Sequence, residues 1–447
     1  MRICIVGTGY VGLVAGTCLA EIGHRVVCVD DDRQKIEVLQ GGRMPIYEPG
    51  LDELVARNLR ENRLAFTADL KEGIDAATAV FICVGTPPLE DGDADLSAVE
   101  QVARRIGELS SSYKLVVEKS TVPVQTGKWI EKTLMVYGDS GRSEFDVASN
   151  PEFLREGSAV IDFLHPDRIV VGVEHPRAER LLREMYEPII RRTFVCPVHS
   201  TCPATEPVPF LVTDIRSAEL IKHASNAFLA TKISFINSVA DLCELVGADV
   251  ELVAKGMGLD GRIGRAFLKA GLGFGGFCFP KDLQAFVKIA ERCGHDFRLL
   301  REVDRINQAR VPQAIRRLKE QLWILKEKVI GVWGLAFKPD TDDLRYSPAI
   351  ALVKQLLAEG ASVRAYDPKA MEKARGEIAS AIFSRDPYEA VSGADALVVA
   401  TEWREFEGLD LTRVKTLMRR PLILDGRNLF DREKMRSMGF EYLGIGR

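Results

Sequence analysis

No Cys-x-x-Cys pair occurs in the 447 residues, and the nine cysteines, an odd number, are spread from Cys4 to Cys293. That spacing predicts neither a disulfide framework nor a Cys/His zinc site, and it points to a reducing, cytoplasmic compartment. The six histidines are equally scattered, so no metal is expected. A strong charge of one sign is also missing. A net charge of −4 gives no bulk attraction for nucleic acid or for an anionic membrane, although a few local Lys and Arg side chains can still hold an anionic substrate. There is no internal repeat and no low-complexity tract. The chain opens on a strand-like run, Arg2-Ile3-Cys4-Ile5-Val6, without the basic and apolar regions of a secretory leader. Residues 3–20 carry no charge, but Gly7, Gly9, Gly12 and Gly16 interrupt them. A strand, a tight turn and a helix explain that stretch better than a membrane span.

What is present is an ordinary globular mix, 46% hydrophobic and 28% charged, long enough for about three domains. Residues 3–6, 25–30, 79–84, 114–118 and 168–173 read as short buried strands rich in Val and Ile. Amphipathic helical stretches such as 34–40 and 96–109 lie between them. The alternation predicts a parallel sheet with helices on both faces. From 215 to 246 there is neither Pro nor Gly, and apolar residues occupy nearly every side. A helix apolar all round is buried all round, either between domains or against a second subunit. A second α/β region starts near Lys326, with strands expected at 329–332, 362–367, 396–400 and 422–425 and a helix at 347–359. The expected fold is therefore α/β, with two doubly wound Rossmann-like domains joined by a long central helix and a small helical domain. The expected divisions are 1–210, 211–310 and 311–447.

Gly7-Thr8-Gly9-Tyr10-Val11-Gly12 is G-x-G-x-x-G, set after the first strand and opening a helix. Gly7 permits the tight turn, Gly9 lets backbone approach a pyrophosphate, and Gly12 lets the helix pack close. The helix N-terminus, beginning near Tyr10 and Val11, then offers N–H groups to phosphates. Asp30 ends the next strand, where an acid binds the adenosine ribose diol. Asp31 and Asp32 follow it, and three acids repel a 2′-phosphate, so the expected cofactor is NAD rather than NADP. Lys35 offsets some of that charge. The second α/β region lacks this fingerprint: Gly331-Val332-Trp333-Gly334 runs on into Leu335-Ala336-Phe337-Lys338.

Four segments carry a resemblance over nearly the whole chain. They are Ser149-Asn150-Pro151-Glu152-Phe153-Leu154-Arg155-Glu156-Gly157, Lys222-His223-Ala224-Ser225-Asn226, Gly273-Phe274-Gly275-Gly276-Phe277-Cys278-Phe279-Pro280-Lys281-Asp282 and Phe337-Lys338-Pro339-Asp340-Thr341-Asp342. With them the chain resembles the UDP-glucose/GDP-mannose dehydrogenase family, the glycine-cysteine segment being the most specific. The resemblance implies a four-electron oxidation. The C6 alcohol of UDP-glucose, or of a related nucleotide sugar, passes a hydride to NAD and becomes an aldehyde. A cysteine thiolate then adds, a second NAD takes another hydride, and water cleaves the thioester to the uronate. It implies Cys278 as nucleophile, with Glu152, Thr121 and Asp282 near the hydrolytic water. It places Val11, Asp30, Lys35, Thr86, Thr121, Glu156, Lys281 and Arg345 at NAD. It places Glu152, Phe153, Leu154, Arg155, Phe267, Leu268, Lys269, Ala270, Gly271, Gly275 and Lys338 at the nucleotide sugar. Arg262 resembles an arginine that reaches a neighbouring subunit's substrate, and a homodimer or higher homo-oligomer is expected.

The residues support the same chemistry on their own terms. Cys278 follows a stretch with Gly271, Gly273, Gly275 and Gly276, a poor core site, and precedes an expected helix start at Pro280. A thiol at a helix N-terminus beside a lysine is more readily ionised. Lys222 and Asn226 share a helical face. Both can donate to a developing oxyanion and so touch the substrate, or a neutral Lys222 can take the alcohol proton. Two features depart from the family pattern. Phe277 stands where relatives carry a small Ser, which leaves GDP-mannose or another UDP-hexose open as substrate. Residues 191–208, with Cys196, Cys202 and several prolines, form a longer excursion than expected and read as irregular surface. A two-electron hydroxyacid dehydrogenase would need no cysteine, and the glycine-cysteine segment argues against it.

Overall fold

The computed structural model describes residues 1–90, 92–139, 143–199 and 206–447. The chain forms two compact units, Met1–Ser225 and Asn226–Arg447.

In the first unit eight strands form one sheet in the order β3-β2-β1-β4-β5-β6-β7-β8. They are β1 (Arg2–Val6), β2 (Arg25–Val29), β3 (Leu64–Thr67), β4 (Ala79–Ile82), β5 (Lys114–Glu118), β6 (Phe145–Ser149), β7 (Ile169–Val173) and β8 (Phe210–Thr213). Every residue of β4 and β5 is buried, as expected of central strands covered on both faces. The order reverses at β1, where the chain crosses to the other side of the sheet, and ligands bind at such switch points. The expected all-parallel sheet needs one correction, because β6 and β7 pair antiparallel. Strand β6 was not expected because Asp146 interrupts its apolar run. That buried carboxylate accepts from the Tyr113 hydroxyl at 2.9 Å and from Arg177 Nε at 2.8 Å, so the fold supplies partners a local reading cannot see. Strands β3 and β8 are short and partly exposed, which weakens their signal.

The second unit carries a six-stranded parallel sheet in the order β11-β10-β9-β12-β13-β14. Its strands are β9 (Val329–Trp333), β10 (Ser362–Tyr366), β11 (Ile382–Phe383), β12 (Ala396–Val399), β13 (Leu422–Asp425) and β14 (Glu441–Gly444). Trp333 is fully buried and stacks on Phe406 with ring centroids 5.1 Å apart.

The helix Ile215–Val246 has the expected ends. Its first turns are fastened by Glu219, which accepts from the Gln125 amide at 2.7 Å and the Gly127 amide at 2.8 Å. Within the single chain the burial is not complete: Phe228, Phe235 and Leu242 are 65%, 53% and 56% exposed. Their spacing of seven residues lines them along one stripe. The scattered cysteines and histidines also gather in one place. The end of helix Ala159–Leu164 meets the start of the 191–208 excursion, bringing ligand atoms of His165, Cys196 and His199 within 4.8 Å of one another. Residues scattered along the chain are thus brought together, because spacing along the chain does not measure distance in the fold. Cys202 of that excursion lies outside the described residues. Among the described residues no cysteine is in a disulfide, and no helix is long and apolar enough to cross a membrane.

Candidate active site

The turn after β1 is built from its glycines. Gly7 has φ +99°, donates its N–H to Val29 O at 2.8 Å, and a Cβ there would sit 2.6 Å from Cys83 O. A Cβ on Gly12 would sit 1.9 Å from Gly7 O, so nothing but glycine lets helix Tyr10–Glu21 start there. Gly9 differs: a Cβ there would meet nothing within 4 Å. It opens on a cavity of about 450 Å³ lined by Gly7, Asp30, Lys35 and Gly85 among others. A bare turn facing open space at a helix N-terminus fits a dinucleotide pyrophosphate. Asp30 is nearly buried, and its Oδ2 accepts from the Thr8 amide and hydroxyl, both at 2.7 Å, and from Lys35 Nζ at 3.0 Å. Burial alone would raise this carboxyl, but the bonds from Thr8 and Lys35 outweigh it and hold it below the usual aspartate range.

The Tyr10 hydroxyl donates to Glu48. The same carboxylate accepts the Gly157 and Ala159 amides, each at 2.7 Å. This ties the glycine turn to the end of the 149–157 segment, where Glu156 is half-buried. Thr86 Oγ1 donates to the Thr121 carbonyl at 2.8 Å, and Val11 is half-buried. Glu152 and Lys222 are both buried and form an ion pair at 2.8 Å, so Lys222 is no solvated surface lysine. Glu152 also accepts the Leu154 amide at 2.7 Å. Phe153 lies under Arg168, 3.8 Å from its ring centroid, with Lys222 Nζ at 5.6 Å. Arg155 is exposed and bound to Asp162 at 2.5 Å.

Sequence reasoning missed Lys119. It is buried at the end of β5 and donates to Asn150 Oδ1 at 3.1 Å, which also accepts from the Tyr186 hydroxyl at 2.6 Å. Burial pushes this ammonium below the usual lysine range. Its signal was the charged pair Glu118-Lys119 at the carboxyl end of an apolar strand, where doubly wound folds gather ligand contacts.

In the second unit Cys278 is half-buried and is the first residue of helix Cys278–Arg292. The expectation of a loop position with the helix opening at Pro280 is corrected by two residues. The glycine stretch is also more buried than expected: Gly271, Gly273, Gly275 and Gly276 are all covered. A Cβ on Gly275 would sit 2.4 Å from Tyr346 O, and Gly271 donates its N–H to Asn237 Oδ1 at 2.8 Å. Close backbone packing, rather than exposure, accounts for these glycines. Asn226 Nδ2 donates to Asp282 Oδ2 at 2.6 Å, and Lys281 Nζ pairs with Asp282 Oδ1 at 2.7 Å, with all three side chains buried. Phe277 is flanked by Arg345 at 4.4 Å and Lys281 at 5.5 Å from its ring centroid. Phe267 has φ +64° and packs on Phe279 with centroids 6.0 Å apart, while Leu268 and Ala270 are buried. Lys269 reaches Glu402 at 3.6 Å, and Lys338 lies over Phe337 at 5.4 Å. Arg262 is 90% exposed and held by Asp260 at 2.5 Å. The structure thus joins Glu152 to Lys222 and Asn226 to Lys281 and Asp282, and leaves Arg155 and Arg262 in local surface pairs.

Four buried cysteines of the first unit are poor nucleophiles. Burial pushes Cys4 and Cys83 up to about 12, and holds Cys18 and Cys28 well above the usual thiol range.

A glycine turn open to a pyrophosphate, an acid at the end of the second strand and a half-buried cysteine opening a helix define a dinucleotide-dependent dehydrogenase. Comparison with known proteins narrows the class. Residues 1–190 match the NAD binding domain of the UDP-glucose/GDP-mannose dehydrogenase family, 216–309 its central domain and 331–432 its UDP binding domain. The chain is 46% identical to the UDP-glucose 6-dehydrogenase TuaD of Bacillus subtilis (strain 168), over all of this chain and 93% of that protein. It is 48% identical to the UDP-glucose 6-dehydrogenase of Rhizobium meliloti (strain 1021) over the full length of both. The solved UDP-glucose dehydrogenase of Pyrobaculum islandicum is similar with a TM-score of 0.89 and 41% identity, covering 99% of this chain and 97% of that one. The chain belongs to the UDP-glucose/GDP-mannose dehydrogenase family, and it is an NAD-dependent oxidoreductase.

Proposed function

We propose that the protein oxidises the C6 alcohol of UDP-glucose to the carboxylate of UDP-glucuronate, using two NAD and one water. The support is the name shared by the full-length relatives at 46% and 48% identity. The covalent route rests on one observation: Cys278 is a half-buried thiol at the first position of a helix, with Lys281 in its first turn. The N–H dipoles that open a helix and a lysine in its first turn favour the thiolate.

Gly7, Gly9, Tyr10, Val11, Gly12, Asp30 and Lys35 would hold NAD, which would supply the hydride acceptor in each half of the reaction. The alcohol loses its proton and a hydride and becomes an aldehyde. Cys278 Sγ adds to that carbon, and the resulting thiohemiacetal loses a second hydride and its hydroxyl proton to leave a thioester. Water attacks, the C–S bond breaks, and the thiol is restored. Lys222, ion-paired with Glu152, and Asn226, bound to Asp282, are amine and amide donors for the oxyanion. Glu152, Asp282 and Thr121 are assigned to the hydrolytic water, the two carboxylates being its candidate bases. Arg262 is assigned to a neighbouring subunit's substrate. The three blocks matched by the family support domains at 1–210, 211–310 and 311–447.

The test is NADH counted per uronate formed, over a panel of UDP-glucose, GDP-mannose and other UDP-hexoses. Two NADH per UDP-glucuronate is expected. Cys278→Ala should keep its fold and nucleotide binding yet lose product formation by at least about a thousandfold. Near wild-type uronate from Cys278→Ala overturns the covalent route, and preferred turnover of GDP-mannose overturns the substrate.

We also propose a homodimer closed along the Phe228, Phe235 and Leu242 stripe, since a soluble chain rarely leaves such a row uncovered. Light scattering should show a dimer at micromolar concentration and a shift towards monomer for Phe235→Asp. An active wild-type monomer there rejects the assignment.

A further inference from the structure

Helix Ala159–Leu164 ends at His165, and the chain returns to that point after helix Pro176–Ile190. His165 Nε2 lies 3.1 Å from Cys196 Sγ, and Cys196 Sγ lies 3.5 Å from His199 Nδ1. In a tetrahedral zinc site, Zn–S near 2.3 Å and Zn–N near 2.0–2.1 Å place N and S about 3.6 Å apart. Both separations fall within about 0.5 Å of that figure, and all three ligand atoms lie within 4.8 Å of one another, so side-chain rotation can close them on an ion. All three residues are half-buried, which leaves an entry path.

We propose that His165 Nε2, Cys196 Sγ and His199 Nδ1 bind one zinc-class divalent cation, with a fourth position for water. One thiolate and two imidazoles suit zinc, whereas magnesium and calcium prefer oxygen donors. The surroundings support the donors. The His199 amide donates to Cys196 Sγ at 3.3 Å, a bond that steadies a thiolate ligand. Phe194 stands against His165, with ring centroids 5.6 Å apart, and holds the imidazole's plane. One contact must change. Arg192 Nη1 lies 3.2 Å from His165 Nδ1, and a metal on Nε2 places the ring proton on Nδ1. Arg192 retains another partner, because its Nε donates to the Glu206 carbonyl at 2.7 Å. Cys202 lies outside the described residues and forms no part of this assignment.

None of the three ligands belongs to the residues proposed for chemistry, so the ion takes no part in the proposed oxidation. It fastens the start of the 191–208 excursion to the end of the 159–164 helix. Pro197 and Val198 of that excursion line a cavity of about 290 Å³ together with Gly157, Ser158 and Glu48.

The test uses the full chain, stripped with chelator, dialysed, and titrated with Zn²⁺ or Co²⁺. Elemental analysis should find one zinc per chain after removal of unbound metal. The Co²⁺ form should show a thiolate-to-cobalt charge-transfer band. Cys196→Ser should lose that band, and His165→Ala and His199→Gln should each weaken zinc retention at least about tenfold. Cys278→Ser should retain both metal and band, which separates this site from the proposed nucleophile. Thermal unfolding of the stripped variants should match that of the stripped wild type, showing that metal loss is not loss of fold. Turnover by Cys196→Ser should stay within about twofold of wild type. No zinc retained by the wild type, or equal retention by Cys196→Ser and His199→Gln, overturns the site. So does a cobalt band that disappears in Cys278→Ser.

Discussion

The two sheets share a frame at their first turn and use it differently. After β1 the Gly7 amide bonds to Val29 O at 2.8 Å, and the Thr8 amide bonds to Asp30 Oδ2 at 2.7 Å. After β9 the Gly334 amide bonds to Tyr366 O at 2.8 Å, and the Leu335 amide bonds to Asp367 Oδ2 at 2.7 Å. Both glycines have positive φ, +99° and +89°. Beyond that point the turns part. Gly9 is exposed beside a cavity, whereas Ala336 in the matching place is buried with Leu335. Asp30 shares its carboxylate with a lysine at the cavity, whereas Asp367 also takes the Ala336, Lys369 and Ala370 amides and the Trp403 indole. The same strand-turn frame therefore serves a ligand in one unit and its own packing in the other. What decides is whether side chains fill the space over the turn.

The sharpest way to break this contrast is at the glycine. Gly9→Val should leave stability within about 0.5 kcal/mol, since nothing lies near its Cβ. It should weaken NAD binding by at least about a hundredfold, read by calorimetry. Unchanged NAD affinity would mean that Gly9 does not face the pyrophosphate.

The two acids should divide next. Asp367→Ala strips five donors, four of them buried, of their acceptor and should lower unfolding stability by about 3 kcal/mol or more, with the KM for NAD unchanged in the folded fraction. Asp30→Ala should do the reverse, weakening NAD binding by about 1.5–3 kcal/mol with a smaller loss of stability. If both acids behave alike, the contrast is wrong.

Acid provides the smallest test. The Asp30 carboxyl sits below its unfolded value, so its contribution is complete above the unfolded pKa of about 3.9 and disappears as pH falls through the folded value. The stability gap between wild type and Asp30→Asn should be constant from about pH 7 to pH 5 and should close only as pH falls below the unfolded pKa and through the lowered folded value. The gap should come chiefly from the Thr8 amide and hydroxyl, with the partly exposed Lys35 adding less. A gap that widens in acid would reverse the sign.

The legible parts of the fold were those with local causes. Buried apolar runs announced β1, β2, β4, β5 and β13, and the absence of Pro and Gly gave the ends of the Ile215–Val246 helix. Strand β6 was hidden by Asp146, whose partners Tyr113 and Arg177 lie far off in sequence. Strand β11, two residues long, and the part-exposed β14 carry too little pattern. Within the site, the residue types at Gly7–Gly12, Lys222, Asn226 and Cys278 stood out through motif and spacing. Their partners did not, because Glu152 meets Lys222 across 70 positions and Asp282 meets Asn226 across 56. The same blindness to distance concealed the His165, Cys196 and His199 group.

Glu219 sets a clock for the long helix. Its carboxylate holds the amides of Gln125 and Gly127 at the start of another helix, and burial raises it above the usual glutamate range. Those two protons can trade with solvent deuterium only when the carboxylate withdraws. Their lifetimes therefore follow the opening of this anchorage rather than the fraying of the short helix they begin.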